Sequence, residues 1–319
     1  MRGLTSAVSA LALAGCESLA LTGARFDASE ISADPSLLVA TTRKPVNGAR
    51  AEPWFGPERS RLSIARAQLT SPSDGRFSLS SVGLADWRID RIDPQAGGAL
   101  AQATGGRDVL IYIHGFNQTF ETSALDAARL ADGIRFHGTT MLFSWPSRAH
   151  LFDYGYDRDS AMWSRDALQT VLDGLIASPA TGRIHIVAHS IGTMLAMEAL
   201  RQFYARAGDA GAARIGAVVF ASPDIDMGVF ASSVEHIGPL ARKITVITAT
   251  NDRALAVSQW IAGGMTRVGA AEKSRLKQLG LRVIDASDGA WGIINHDLFL
   301  SNGQIRQVIR RVIDDPSGA

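Results

Sequence analysis

The chain has 319 residues, of which 46% are hydrophobic and 20% charged, and its formal net charge is +1. This length allows a large buried core, and the hydrophobic content is too high for an intrinsically disordered protein. The 32 lysines and arginines are balanced by 31 aspartates and glutamates, so the composition lacks the basic surplus of a nucleic-acid-binding protein. The single cysteine excludes an internal disulfide and a cysteine-based zinc cluster.

The N-terminus has the pattern of a secretory signal peptide: a basic residue, a short apolar stretch and then small residues. The tetrad LAGC at residues 13–16 resembles the bacterial lipobox. The resemblance implies that residues 1–15 are a signal peptide and that Cys16 carries a lipid anchoring the protein in the bacterial cell envelope. Glu17 stands where an aspartate would favour the inner membrane, so we expect the periplasmic face of the outer membrane. The alternative is a chance cysteine behind an apolar N-terminus.

Residues 16–36 are polar and rich in small residues, which predicts a tether between this anchor and a single domain of residues 37–315. The first part of the domain, residues 37–103, contains β-like pieces separated by Gly, Pro and Ser. The clearest are Leu37–Thr42 and Phe77–Val82. We expect this N-terminal β extension to supply strands that extend or flank a main sheet.

From Asp108 onward, short apolar runs alternate with helical patterns, which predicts parallel strands joined by crossover helices. The predicted strands are Val109–Ile113, Thr139–Phe143, Ile184–Ala188, Ile215–Phe220, Ile244–Ala249 and Leu281–Ile284. Apolar residues at helical spacing follow in between, as at Leu168, Val171, Leu172 and Leu175, and again near the C-terminus. The pattern predicts an α/β fold with a mainly parallel central sheet and helices on both faces.

The strongest chemical signal is a serine between the third of these strands and a helix. Ser190 stands in the pattern small-X-Ser-X-Gly, with Ala188 two residues before it and Gly192 two residues after it. Such a tight turn needs small neighbours because larger side chains would collide. The helix that follows directs its N–H groups toward charge developing on a substrate. The pattern predicts a nucleophile elbow, and the competing interpretation is a serine that caps a helix.

A serine hydroxyl needs a histidine to accept its proton and a carboxylate to orient that histidine. In this fold class the order along the chain is serine, acid, histidine, each after a strand. Of the seven histidines, His296 alone follows the last predicted strand, and Asp252 closely follows the fifth. Asp224 and Asp226 follow the preceding strand and remain alternatives for the acid. Order and placement favour Asp252 over Asp226.

Two backbone N–H groups are predicted to form an oxyanion hole. The first belongs to Phe116, which Gly115 turns toward the site after the strand Val109–Ile113. The second belongs to Ile191, directly after the candidate nucleophile.

The aromatic segment between Trp145 and Trp163 is a candidate roof for the substrate pocket, because α/β proteins bind ligands at the carboxyl ends of strands. His114, Tyr154 and Tyr156 are the candidate pocket residues. The alternative for the tyrosines is that they only pack against the following helix.

These motifs resemble the α/β-hydrolase superfamily, and more narrowly a bacterial family of α/β hydrolases of unknown function. The resemblance is carried by IYIHGFN, FSWPS and AHSIG, with ATTR and FGPER earlier and NDRAL later in the chain. It covers approximately residues 37–302 and implies an α/β-hydrolase fold, no cofactor, and Ser190, Asp252 and His296 as nucleophile, acid and base. Ala188 replaces the superfamily's usual glycine.

The sequence therefore predicts a lipid-anchored serine hydrolase that cleaves carboxylic esters, of a small molecule or a lipid, through an acyl-enzyme. The alternatives are an acyltransferase or amidase that uses the same acyl-enzyme, and a catalytically silent envelope binding protein. The expected partners are the ester substrate and the membrane, not nucleic acid. No metal is expected, since His185 and His189 lie on a predicted strand, where a spacing of four residues separates them by roughly 13 Å.

Overall fold

The computed structural model describes residues 36–46, 51–71, 87–96, 100, 102, 104–248, 266–271, 273–287 and 298–316. The strands are β1 (Ser36–Pro45), β2 (Phe55–Thr70), β3 (Arg88–Gln95), β4 (Val109–Ile113), β5 (Thr139–Ser144), β6 (Ile184–His189), β7 (Ile215–Ala221), β8 (Ile244–Thr248) and β9 (Arg282–Asp285). The helices are α1 (Phe120–Gly133), α2 (Tyr154–Trp163), α3 (Arg165–Ala177), α4 (Ile191–Arg214), α5 (Met227–Val234), α6 (Lys273–Lys277), α7 (Leu298–Ser301) and α8 (Gly303–Asp314).

The strands of the described ranges form one sheet in the order β3-β2-β1-β5-β4-β6-β7-β8-β9. From β1 to β9 in this order, every neighbouring pair is parallel, and only the pairs β1–β2 and β2–β3 are antiparallel. The six strands predicted from residue 108 onward are all present, with bounds that differ by at most one residue at either end. The mainly parallel sheet predicted from the sequence is confirmed.

The sheet separates two hydrophobic cores. Within β4, Val109, Ile111 and Ile113 belong to one core, whereas Leu110 and Tyr112 belong to the other. The first core contains the apolar faces of α3 and α4, and the second contains those of α1 and α8. The apolar residues of α3 that the sequence directs to the core are fully buried: Leu168, Val171, Leu172 and Leu175. Helices therefore cover both faces of the sheet, as predicted.

The N-terminal strands extend the sheet beyond β5. β1 pairs in parallel with β5, and β2 and β3 continue the sheet outward from β1. β2 and β3 were not individually predicted, and the predicted strand Phe77–Val82 lies outside the described residues. None of the helices in the described ranges combines the length and hydropathy needed to cross a bilayer.

Candidate active site

Ser190 occupies a strained turn between β6 and α4. Its φ of 51° and ψ of −124° lie in a region that residues other than glycine rarely adopt. The Ser190 N–H donates to the Ala221 carbonyl at 3.0 Å, and the Ser190 carbonyl accepts from the N–H groups of Thr193 at 3.0 Å and Asp224 at 3.2 Å. Backbone strain of this kind persists only where the surrounding structure enforces it, and it is concentrated at functional sites.

The loop after β4 packs directly against this turn. A Cβ added to Gly192 would lie 2.3 Å from the carbonyl oxygen of His114, and a Cβ added to Gly115 would lie 3.0 Å from Cβ of Ser190. Backbone atoms cannot move aside as a flexible side chain can, so Gly192 is required by the end of β4. The buried Ala188 fits inside β6, between Ile113 of β4 and Phe220 of β7.

The carboxyl ends of several parallel strands meet at this edge. The N–H of Ser190 bonds the end of β7 through Ala221, and the N–H of Ser222 bonds the end of β8 through the Ile247 carbonyl at 3.1 Å. Positive φ values occur at Ser190, at Ser222 (45°), and at Asn117 (60°) in the loop after β4. Three of the five described non-glycine residues with positive φ thus lie at the edge where α/β proteins bind ligands.

The two predicted oxyanion donors lie on either side of this packing contact. Ile191 is the first residue of α4, and Phe116 follows Gly115 in the loop after β4. Within the described part of the chain, neither N–H group donates a hydrogen bond to another residue. The positive end of the α4 dipole favours negative charge near Ile191.

His114 is completely buried and fixes the end of β4. Its ring stacks on Trp145 with the centroids 4.5 Å apart. Its Nδ1 lies 2.8 Å from the Gly115 carbonyl, and its Nε2 lies 3.2 Å from the Trp145 N–H and 3.0 Å from the Trp145 carbonyl. Burial, aided by the nearby Arg43 guanidinium, lowers the pKa of His114 to about 3. His114 was predicted as a candidate pocket residue. Its ring contacts Gly115 and Trp145 of the protein itself.

Acid is expected to destabilise the protein through His114. The pKa of His114 in the folded chain, about 3, lies below the ordinary value of 6.5. The unfolded chain therefore binds the proton first as the pH falls, and the stability contribution is complete above pH 6.5 and lost toward pH 3. The loss is about 1.4 kcal/mol for each pH unit in that window.

Urea unfolding at about pH 7, 6 and 5 measures this dependence. The His114→Asn variant should have a shallower dependence of unfolding free energy on pH than wild type. The control His137→Asn, at an exposed position, should keep the wild-type dependence. Equal slopes for wild type and His114→Asn would contradict the prediction.

The two candidate pocket tyrosines point to different parts of the fold. The Tyr154 ring meets Phe116 edge to face, with centroids 5.5 Å apart, and its hydroxyl donates to Oδ2 of Asp224 at 2.8 Å. Tyr154 therefore joins the Phe116 loop to the residues after β7. The Tyr156 hydroxyl instead donates to the carbonyl of Pro57 in β2 at 2.9 Å.

The two acidic residues after β7 both have structural partners. Asp224 is buried, and its Oδ1 lies 3.1 Å from Nε of the equally buried Arg267. Asp226 caps α5 and accepts from the N–H groups of Gly228 at 2.9 Å and Val229 at 3.0 Å. In the described ranges, no three or more His, Cys, Asp or Glu side chains are grouped so that they could hold a metal ion.

Three predicted site residues, Asp252, His296 and Cys16, lie outside the described residues. The described segments next to two of them lie at the Ser190 edge. β8, which ends four positions before Asp252, pairs with β7. In α7, which begins two positions after His296, the ring of Phe299 lies 4.7 Å from the ring of His189, the residue before Ser190.

A buried polar network beside the site was not predicted from the sequence. The Arg43 guanidinium donates to Oγ of Ser144 at 2.9 Å, to the Ser147 carbonyl at 3.0 Å and to the Gln118 carbonyl at 2.7 Å. The buried carboxylate of Asp157 is part of the same network. The motifs ATTR and FSWPS contain Arg43, Ser144 and Ser147 of this network. Their contact, however, depends on β1 lying beside β5.

Solved structures of esterases are similar to the chain at low identity. The Trichoderma reesei cutinase in complex with a C11Y4 phosphonate inhibitor is 12% identical with a TM-score of 0.34, over 68% of this chain and 78% of that one. The catalytic core domain of acetyl xylan esterase from Trichoderma reesei is 14% identical with a TM-score of 0.38, over 66% of this chain and 99% of that one. Similarities at this level do not bear on the chemistry of this chain.

Sequence comparisons define the family. The uncharacterized protein alr1448 of Nostoc sp. (strain PCC 7120 / SAG 25.82 / UTEX 2576) is 25% identical in an alignment over 121 residues, and the alignment covers 30% of this chain and 32% of that protein. The match thus spans about a third of the Nostoc protein. The model of a family described as "Alpha/beta hydrolase of unknown function (DUF900)" matches residues 98–312, more than half of the chain. With the elbow, the strand order and this match in agreement, the chain belongs to that family of α/β hydrolases.

Proposed function

We propose that this hydrolase cleaves carboxylic esters through an acyl-enzyme formed on Ser190. The observation that supports this most is the backbone of Ser190. A serine that only caps a helix has an extended backbone, and its side chain accepts a hydrogen bond from the first turn. Ser190 has a positive φ of 51° and its side chain makes no capping hydrogen bond to α4. The strain therefore has no role in starting the helix, whereas a nucleophile elbow requires it.

In the proposed reaction, the Ser190 oxygen attacks the ester carbonyl while His296 takes the hydroxyl proton. Asp252 orients His296, and the N–H groups of Phe116 and Ile191 bind the oxyanion. The tetrahedral intermediate then expels the alcohol, which receives the proton from His296. Water attacks the acyl-enzyme with His296 as base again, releasing the carboxylic acid and restoring Ser190.

The described surroundings support these roles. α7 is held against His189 by the ring of Phe299, so the chain that follows position 296 is attached beside the elbow. β8 ends at Thr248 next to β7, whose last residue accepts the N–H of Ser190. Asp224 already has Arg267 and Tyr154 as partners, and Asp226 caps a helix. These occupied carboxylates favour Asp252 as the acid.

Labelling with a fluorophosphonate tests the proposal. The reagent phosphonylates an activated serine, so the purified wild-type chain should be labelled and Ser190→Ala should not. The matched control is Ser222→Ala, which alters a serine that also follows a parallel strand with positive φ. That variant should label like wild type. An unlabelled wild type, or labelling that survives Ser190→Ala, would exclude Ser190 as the nucleophile.

We also propose that Cys16 carries a lipid that anchors the protein at the envelope, since LAGC at residues 13–16 follows an apolar stretch. In bacteria fed a palmitate analogue, the full-length chain should incorporate the label and fractionate with membranes. Cys16→Ser should lose both properties, whereas the neighbouring Ser18→Ala should lose neither. Membrane fractionation of Cys16→Ser equal to wild type would contradict the anchor.

A further inference from the structure

Arg43 is a buried cation that joins the loops after β4 and β5. Its side chain is 1% exposed, and it is held by Oγ of Ser144 and the carbonyls of Ser147 and Gln118. Burial lowers the pKa of Arg43 to about 10, so the guanidinium is still charged at neutral pH. Its planar guanidinium presents its N–H donors in fixed directions, so it holds several acceptors in a defined geometry that the single ammonium of a lysine does not reproduce.

Asp157, on α2, is the buried anion on the other side of the same loops. Its Oδ2 accepts from Oγ of Ser147 at 2.5 Å and from the N–H of Asn117 at 3.3 Å. Its Oδ1 accepts from the N–H of Arg148 at 2.8 Å. Burial raises the pKa of Asp157, although these hydrogen bonds and the charge of Arg43 oppose the rise.

Together the two charges hold the residues that directly follow Phe116. Asp157 binds the N–H of Asn117, and Arg43 binds the carbonyl of Gln118. Asn117 has a positive φ of 60°, a conformation that costs free energy and needs support from its surroundings. We call Arg43, Asp157 and Ser147 the loop clamp, because the Ser147 carbonyl accepts from Arg43 and the Ser147 hydroxyl donates to Asp157.

The loop clamp is poorly explained as a source of stability. Arg43 and Asp157 are linked through Ser147. Burying charged side chains costs desolvation free energy, and well-packed apolar residues in place of buried charged groups are often neutral or stabilising. Charged hydrogen bonds are strongly directional, however, and they fix geometry. On the other side of Phe116, the buried His114 and Trp145 already hold the end of β4. The clamp supports the loop on the C-terminal side of Phe116, where it fixes the backbone of Asn117 and Gln118.

We propose that Arg43 and Asp157 are positioning residues that hold the N–H of Phe116 in the oxyanion hole. They act through Asn117 and Gln118. The inference rests on the proposed function, since it assigns the clamp to a loop whose N–H binds the oxyanion. An oxyanion donor must lie within about 2.7–3.1 Å of the developing charge, and a displacement of about 1 Å can lower the rate about 100-fold.

Kinetics of Arg43→Lys, Asp157→Asn and Ser147→Ala test the inference with a soluble p-nitrophenyl ester and a trifluoromethyl ketone, which forms a tetrahedral adduct with the serine. We expect kcat to fall about 10- to 100-fold with KM nearly unchanged. The inhibition constant of the ketone should rise by a similar factor, because the ketone also needs the oxyanion hole. The matched control is Arg59→Lys, because Nε of Arg59 donates to Ser160 on the same helix α2 without joining the clamp.

A double variant, Arg43→Met with Asp157→Asn, separates positioning from stability. It leaves no unpaired buried charge, so its melting temperature should be at least that of either single variant. A positioning role predicts that kcat stays low in this variant, whereas a purely structural role predicts that kcat recovers with stability.

The outcomes distinguish this inference from the proposed function. A wild type that hydrolyses no ester and takes no fluorophosphonate would overturn the proposed function. If the wild type is active, and the folded Arg43→Lys and Ser147→Ala variants keep its kcat and its affinity for the ketone, the positioning role of the clamp alone is overturned. If the charge variants do not fold, the uncharged Ser147→Ala variant decides, because it removes one hydroxyl, which donates to Asp157 and accepts from the N–H groups of Gln118 and Ala149.

Discussion

Alanine at position 190 is expected to lower kcat for a soluble p-nitrophenyl ester by about 10⁴-fold or more, with the melting temperature within a few degrees of wild type. The loss is large because the covalent route disappears, and only substrate binding and the oxyanion donors remain. The fold should persist because alanine keeps the Cβ of serine, so the strain at φ 51° is unchanged and no capping hydrogen bond is lost. Steady-state kinetics and thermal denaturation of the two proteins measure both effects.

This result would also exclude the catalytically silent alternative. A binding protein has no turnover to lose, so wild type and Ser190→Ala would then show the same background rate. A folded Ser190→Ala variant that keeps more than about a hundredth of the wild-type kcat would instead place the nucleophile elsewhere.

The parallel part of the sheet was predictable because the apolar pattern that indicates each strand lies within the strand's own short segment. Strands buried on both faces are continuous apolar runs, and β4 and β7 are such runs, with every residue buried. The elbow was predictable for a related reason. Its pattern occupies only five residues, from Ala188 to Gly192, although the structure shows that the glycine is required by the end of β4, which is distant in sequence.

The outer strands β2 and β3 were harder to predict. β3 reads RIDRIDPQ, in which each isoleucine stands between an arginine and an aspartate. Such a high content of charged residues is usual for an edge strand that avoids aggregation. In β2, buried residues occur mainly in the second half, and arginine and glutamate occupy much of the first. β2 pairs with the preceding strand β1 and with the following strand β3, so the difficulty lies in this charged pattern and not in the distance to a partner.

The polar support of the site could not be predicted from local patterns. Arg43 meets Ser147 and Gln118 across separations of 104 and 75 residues, and these contacts exist only because β1 lies beside β5. The same limit applies to His114. A His-Gly pair after a strand indicates a loop at the ligand-binding edge, but whether the ring faces substrate or Trp145 depends on how β5 continues.

Asparagine at position 252 is expected to lower kcat by about 10³- to 10⁴-fold with little change in melting temperature. An asparagine is nearly isosteric with aspartate, but it favours the wrong tautomer of the histidine and cannot stabilise its protonated form. KM should change little, because the acid does not bind the substrate. Steady-state kinetics of the folded variant measure the effect.

The two neighbouring carboxylates supply matched controls. Asp226→Asn should keep both kcat and melting temperature, because asparagine caps a helix about as well as aspartate does and Asp226 is the cap of α5. Asp224→Asn should lower the unfolding free energy by about 3–5 kcal/mol, because it leaves the buried Arg267 without its anion. The three variants thus have three different signatures: lost turnover, no effect, and lost stability. If Asp226→Asn abolished turnover while Asp252→Asn preserved it, the acid would follow β7, and the order of the triad along the strands would have to be reassigned.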